Sequence, residues 1–302
     1  MSYPFVVSGD VQLLLGPWAE ANGFKLPSKQ YFKEMADELC RNLSRIFPKV
    51  DYLDGEELSG GLGELLSRYG GVSIFLDRAY TSTDIALAQV TPHFTLDMSR
   101  YVNARNMDVG IRSRKDSESL LQQLRRVPQG KIALVDDVIF TGELLERVIK
   151  TLSHRGTRVT HVFAGVGVGN GTARIRKMGV EVACVREYLS VIDEVCERDF
   201  YPGVPYSGRS LVGAPNTGVP YLLPWGNPEQ WASIPASHHR FSDFCIQATI
   251  GMYREIERLS GDHITFDKLG RQFPKLGYEG KHVVSLLEDL LSDRYEVGIL
   301  CH

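Results

Sequence analysis

Apolar positions along the chain recur with two different periods, and together they predict strands alternating with helices. Phe5 to Val7 make a short strand-like run, and the rest of residues 1–27 reads as loop. Phe32, Met35, Leu39, Leu43 and Ile46 then recur at spacings of three and four, which predicts an amphipathic helix capped by Ser28. A second helix is predicted from Glu56 to Tyr69, weakened by Gly60, Gly61 and Gly63 and ended by Gly70-Gly71. Strand runs follow at Val72 to Leu76, His93 to Met98, Lys131 to Val138, Arg158 to Val168 and Val180 to Val185. Helical segments from Leu144 to Leu152 and from Thr172 to Met178 separate the later ones. Such alternation argues for an α/β fold with a doubly wound, mostly parallel sheet.

The texture changes near Phe200. Residues 201–235 are dense in glycine, proline and aromatics, a loop-rich composition that can still bury large rings. A helix is predicted from Ser242 to Leu259, then a glycine-rich turn at 277–280, a helix from His282 to Leu291 and a strand from Tyr295 to Leu300. That tail is faintly like a winged helix. The division that results is 1–70 as a helical N-terminal extension, 71–199 as the core, and 200–302 as a Gly/Pro/aromatic segment with a helical C-terminal extension. Gly165, Gly167, Gly169 and Gly171 invite a dinucleotide-binding reading, but they lack first-strand context and a following acid. A flexible turn from strand to helix is the reading preferred for them.

Composition narrows the class. With 302 residues, 43% of them hydrophobic, there is ample material for a buried core. A net charge of −3 and a pI of about 6.3 supply no global field for nucleic acid or an anionic membrane. Five cysteines without a C-x-x-C pair, no basic leader and no long apolar run predict a cytoplasmic protein without membrane spans. The eight histidines show no metal-ligand spacing.

The chemistry concentrates in one run. Ile132 to Val135 lead into Asp136 and Asp137, then Val138-Ile139-Phe140-Thr141-Gly142-Glu143-Leu144. A buried strand would carry the acids at its carboxyl end, where ligands collect in open α/β sheets. The following helix N-terminus offers amide groups to an anion. A solvated acidic turn that caps a helix is the plainer alternative. Residues 135–142 resemble the phosphoribosyl-pyrophosphate (PRPP) signature of type I phosphoribosyltransferases. The resemblance implies that Asp136 and Asp137 act catalytically by holding the ribose hydroxyls, and that residues 138–144 wrap the 5′-phosphate. Leu144 departs from the family's usual Thr or Ser, and Glu143 brings a carboxylate beside the phosphate. That carboxylate is repulsive unless it points away or is offset by a cation, so weaker PRPP affinity or a changed ligand is expected.

The same resemblance places a pyrophosphate loop at Asp77, Arg78, Ala79 and Tyr80, and a mobile loop over residues 101–116. In that loop Arg105, Arg112, Arg114 and Lys115 would neutralise departing pyrophosphate. Asp77 and Asp137 would hold Mg2+, through water in part, and Tyr188, Phe200, Tyr201, Tyr206 and Arg209 would hood the acceptor. Exposed ion pairs and a solvated charge run are the structural alternatives for these residues. The activity implied is Mg2+-dependent transfer of the phosphoribosyl group from PRPP to a nucleobase or similar small acceptor, with a homodimer as an assembly to test. A PRPP-sensing regulator that binds nucleic acid or a protein partner is the alternative, and the near-neutral charge disfavours nucleic acid.

Overall fold

The computed structural model describes residues 2–76, 79, 93–114, 118–278 and 280–299. In chain order the elements are β1 (Phe5–Ser8), α1 (Val11–Asn22), α2 (Lys29–Leu43), β2 (Val50–Leu53), α3 (Gly55–Ser67), β3 (Val72–Phe75), β4 (His93–Thr95), β5 (Met98–Val102) and β6 (Asp108–Ser113). Then come α4 (Leu120–Arg126), β7 (Gly130–Ile139), α5 (Glu143–Ser153), β8 (Thr157–Val168), α6 (Gly169–Arg176), β9 (Glu181–Tyr188) and β10 (Asp193–Cys196). The remainder holds β11 (Arg209–Leu211), β12 (Gly218–Val219), α7 (Pro228–Ala232), α8 (Arg240–Ser260) and α9 (Val283–Ile299).

Five parallel strands in the order β4-β3-β7-β8-β9 form the central sheet. Alternation along β7 explains why both faces are covered. Ala133 and Val135 pack into one core with Leu58, Leu62 and Leu66 of α3. Ile132 and Leu134 pack into the other with Leu124 of α4 and Leu145, Val148 and Leu152 of α5. Helices on both faces of a parallel sheet are the doubly wound arrangement that the alternating pattern predicts.

Two smaller sheets complete the molecule. β10-β1-β2 is entirely parallel. β12-β11-β5-β6 is mixed, with β5 and β6 pairing antiparallel. The N-terminal segment is therefore not merely helical, because its β1 sits between β2 and β10 and ties residue 5 to residue 193. Helix α1 went unread in the sequence because Pro17 lies inside it, and proline normally breaks a helix interior. Ser28 caps α2 as expected, its side chain accepting the Tyr31 N–H.

The tail differs from expectation. The strand predicted at Tyr295 to Leu300 is the end of α9 as far as Ile299, and Leu300 lies outside the described residues. The apolar side of α9 packs into the same core as α8, through Val283, Leu287, Leu290 and Leu291, and this packing outweighs the local β-propensity of the tail. No wing follows the helix among the described residues, so the likeness to a winged helix is lost. The glycines 165 and 167 lie within β8, and α6 starts at Gly169 directly from the strand rather than after a flexible turn. Among the described residues no helix is long and apolar enough to cross a membrane.

Candidate functional site

The central strand outruns one neighbour, and that mismatch builds the site. β3 pairs with β7 only as far as Phe75 opposite Val135. β7 continues, still paired on its other side, with Asp136 opposite Ala164 and Val138 opposite Val166. Asp136 and Asp137 thus emerge past the end of β3, and both line a cleft of about 770 Å3. Asp136 is buried, and its Oδ1 accepts the Asp137 N–H at 3.1 Å.

Asp137 is held from several directions. Its Oδ1 accepts the Val138 N–H at 2.8 Å. Its Oδ2 receives Nη2 of Arg198 at 3.1 Å and the Cys196 thiol at 3.4 Å. Arg198 also donates from Nη1 to Asp10 at 2.6 Å, and its backbone N–H donates to the same carboxylate at 2.9 Å. Next to it, the Glu197 carboxylate accepts the N–H groups of Asp10 and Val11, at the start of α1, and the Tyr52 hydroxyl. Burial pushes Glu197 up to about 7, against those three bonds. Burial likewise pushes Glu194 up to about 8, with Ser8 pulling the other way. These acids come from β10 and the turn after it, so the small parallel sheet forms the wall facing β7.

Residues 138–144 also line the cleft. Gly142 precedes α5 with φ of 72°, and it contributes no side-chain cap. The Thr141 hydroxyl accepts the Glu143 N–H at 3.4 Å. The loop lies so close to the β8–α6 junction that a Cβ at Gly142 would stand 2.9 Å from the Gly171 carbonyl oxygen. Gly171 faces the Phe140 carbonyl at closer range still, a backbone approach that only glycine permits. A cation stands beside Glu143. Arg174 of α6 lies 3.7 Å from Glu143 and 3.1 Å from Glu146.

The other expected residues divide. Of the pyrophosphate loop, Asp77, Arg78 and Tyr80 lie outside the described residues, while Ala79 is buried. Leu76, just before that loop, lines the cleft. The segment expected as a mobile loop is largely the β5–β6 hairpin, paired from Met98 opposite Ser113. Arg114 lines the cleft, stacks 4.7 Å over Tyr206 and donates to the Met98 carbonyl. Arg105 is in the hairpin turn and Arg112 projects over Tyr101, and neither lines the cleft. Lys115 lies outside the described residues.

The acceptor hood needs correction. Phe200 and Tyr201 are fully buried core residues, and Tyr188 donates its hydroxyl to Asp51 at 2.6 Å away from the cleft. Rings of that size in a core segment are held by packing, not by ligand. Arg209 does line the cleft, as does Tyr206. Beside Arg209 stand Trp231, whose ring is 4.5 Å from the guanidinium, and Tyr221 at 5.4 Å. Trp231, Tyr221 and the cleft-lining Arg100 went unpicked in the sequence. Arg100 could have been flagged as an isolated cation in an apolar strand, whereas the two rings carried no local signal.

No family model matches the chain. Over 51 residues, 17% of its length, it is 39% identical to a hypoxanthine/guanine phosphoribosyltransferase of Methanosarcina acetivorans. The chain spans 27% of that relative, about a quarter of its length. Among solved structures it is similar to orotate phosphoribosyltransferase from Aeropyrum pernix, at 19% identity over 43% of this chain and 68% of that one, with a TM-score of 0.29. It is also similar to adenine phosphoribosyltransferase from Thermoanaerobacter pseudethanolicus, at 14% identity over 47% of this chain and 92% of that one, with a TM-score of 0.32. The likeness of this chain is to phosphoribosyltransferases, the family whose signature residues 135–142 resemble.

Proposed function

We propose that this protein transfers the 5-phosphoribosyl group of PRPP to a nitrogen of a nucleobase or similar small acceptor and releases pyrophosphate. One observation carries the reading: two consecutive carboxylates near the end of a central parallel strand open, with the loop of residues 138–144 behind them, onto one cleft of about 770 Å3. In the reaction the acceptor nitrogen bonds to ribose C1 as the C1–oxygen bond to pyrophosphate breaks, and the nitrogen's proton passes to solvent. The transition state is oxocarbenium-like, so positioning and charge stabilisation matter more than a strong base.

Asp136 and Asp137 would accept the ribose hydroxyls. Thr141 and the amides at the start of α5 would take the 5′-phosphate, with Arg174 offsetting Glu143. Arg114 and Arg100 supply cationic groups on the cleft wall for the pyrophosphate. Arg209, backed by the mutually inclined rings of Trp231 and Tyr221, would offer its guanidinium plane to an aromatic acceptor. Carboxylate oxygens suit Mg2+, so Asp136 and Asp137 fit the ion that the reaction would use. Bound there, Mg2+ would screen the charge of the pyrophosphate.

The test is PRPP binding by calorimetry in Mg2+, followed by pyrophosphate release with a panel of free bases. Asp137→Asn should abolish release and weaken PRPP binding at least ten-fold. Failure of the unaltered protein to bind PRPP at millimolar concentration overturns the proposal.

A further inference from the structure

Away from the cleft, three metal-ligand side chains from distant positions meet at the end of α8. Glu257 sits in its last turn, His263 in the turn that follows, and His282 immediately before α9. Their ligand atoms all lie within 4.8 Å of one another. We propose that Glu257, His263 and His282 form a binding site for a zinc-class divalent cation that ties the end of α8 to the start of α9.

The backbone sets the convergence. Thr265 and His282 form an isolated antiparallel bridge, and the Val283 N–H donates to the Ile264 carbonyl at 3.0 Å. That short ladder carries His282 back beside His263, with the two rings 4.8 Å apart and steeply inclined. Glu257 Oε2 is 3.6 Å from His263 Nδ1, and Oε1 is 2.8 Å from His282 Nε2. In a tetrahedral zinc site with bonds of roughly 2.0–2.1 Å, neighbouring ligand atoms stand about 3.4 Å apart. Small side-chain adjustments therefore suffice to enclose an ion.

The surroundings also suit a metal. Ser285 Oγ sits 2.9 Å from His282 Nδ1, the outer contact that orients a ligating imidazole. The Ile264 N–H donates to Glu257 Oε1 at 2.8 Å and fixes the carboxylate. Among the described residues no lysine or arginine ion-pairs with Glu257, which leaves its charge for the histidines or a cation. Two imidazoles and one carboxylate favour zinc-class ions over magnesium. His263 is exposed, so the fourth position is open to water. None of the three residues lines the cleft, and the site stands independently of the proposed transfer reaction.

The experiment uses the full chain freed of metal by EDTA and titrated with Zn2+, Co2+ or Mg2+ alone. Zn2+ should bind with one equivalent and raise Tm by roughly 3–6 °C at about a hundred-fold excess over Kd. Mg2+ should give no shift through these residues. His263→Ala, chosen because the side chain is exposed, should keep the metal-free Tm and lose at least ten-fold in Zn2+ affinity. His282→Gln should lose the shift as well. If Zn2+ leaves Tm unchanged, or raises it equally in His263→Ala, the cluster is a hydrogen-bonded clamp and the metal site is refuted.

Discussion

Nη2 of Arg198 lies 3.1 Å from Oδ2 of Asp137 within the cleft wall. The acid proposed to hold ribose is thus already engaged by a cation from the turn after β10. That same guanidinium is anchored on Asp10, whose side chain is fully buried, and burial holds the Asp10 carboxyl well above its ordinary range against the pull of Arg198.

Arg198→Met should be strongly destabilising, because it leaves Asp10 buried without its cation. Losing one partner of a buried pair costs about 3–5 kcal/mol. Asp10→Asn combined with Arg198→Met should cost less than the sum of the single changes. Urea denaturation measures both, and a single-variant loss below about 1 kcal/mol is the contrary outcome.

Arg174→Ala should weaken PRPP binding while leaving the fold intact, since it frees the Glu143 carboxylate to repel phosphate. The pair is solvent-exposed, so the effect should be about three- to ten-fold in Kd and shrink at high salt. Adding Glu143→Thr should restore affinity. Calorimetry at two ionic strengths decides it, and no loss in the single variant argues against the offset.

Gly171→Ala should deform the loop of residues 138–144, because a methyl there collides with the Phe140 carbonyl. Overpacking of this kind costs about 1–3 kcal/mol. The expected result is a lower Tm together with weaker PRPP binding. Gly179→Ala is the control, since a Cβ there meets open space and only its positive φ, which Gly171 does not share, adds strain. Equal losses in affinity for the two variants would mean that the close approach does not shape the loop.

Stability should fall as pH rises from acid to mildly alkaline. Glu197 and Glu194 move from an ordinary 4.5 up to about 7 and about 8 on folding. The folded state therefore binds protons that the unfolded chain has already released, so the contribution is complete below about pH 4.5 and lost as pH rises through 7 to 8. Asp10 and Asp199 shift in the same direction through burial. Thermal unfolding from pH 4 to 9 should show the decline, and Glu197→Gln should flatten it. A variant slope equal to that of the unaltered protein counts against the assignment.

The sequence by itself determined the elements whose signal is local. Ile132 to Val135 running into two acids specified β7 and the position of the paired acids, because a buried parallel strand needs an unbroken apolar run and the acids mark where it leaves the core. The periodic apolar positions from Phe32 to Ile46 specified α2 for the same reason. Tertiary structure alone decided what faces those acids. Arg198 reaches Asp137 from 61 residues away, Trp231 and Tyr221 reach Arg209 through the packing of a glycine- and proline-rich segment, and His263 meets His282 through a two-residue ladder. None of those partners is encoded in a spacing, because strand pairing and core packing join segments that are distant along the chain. Phe200 and Tyr201 show the converse: their aromatic character fitted a ligand wall, and only the packed core revealed that they are buried inside it.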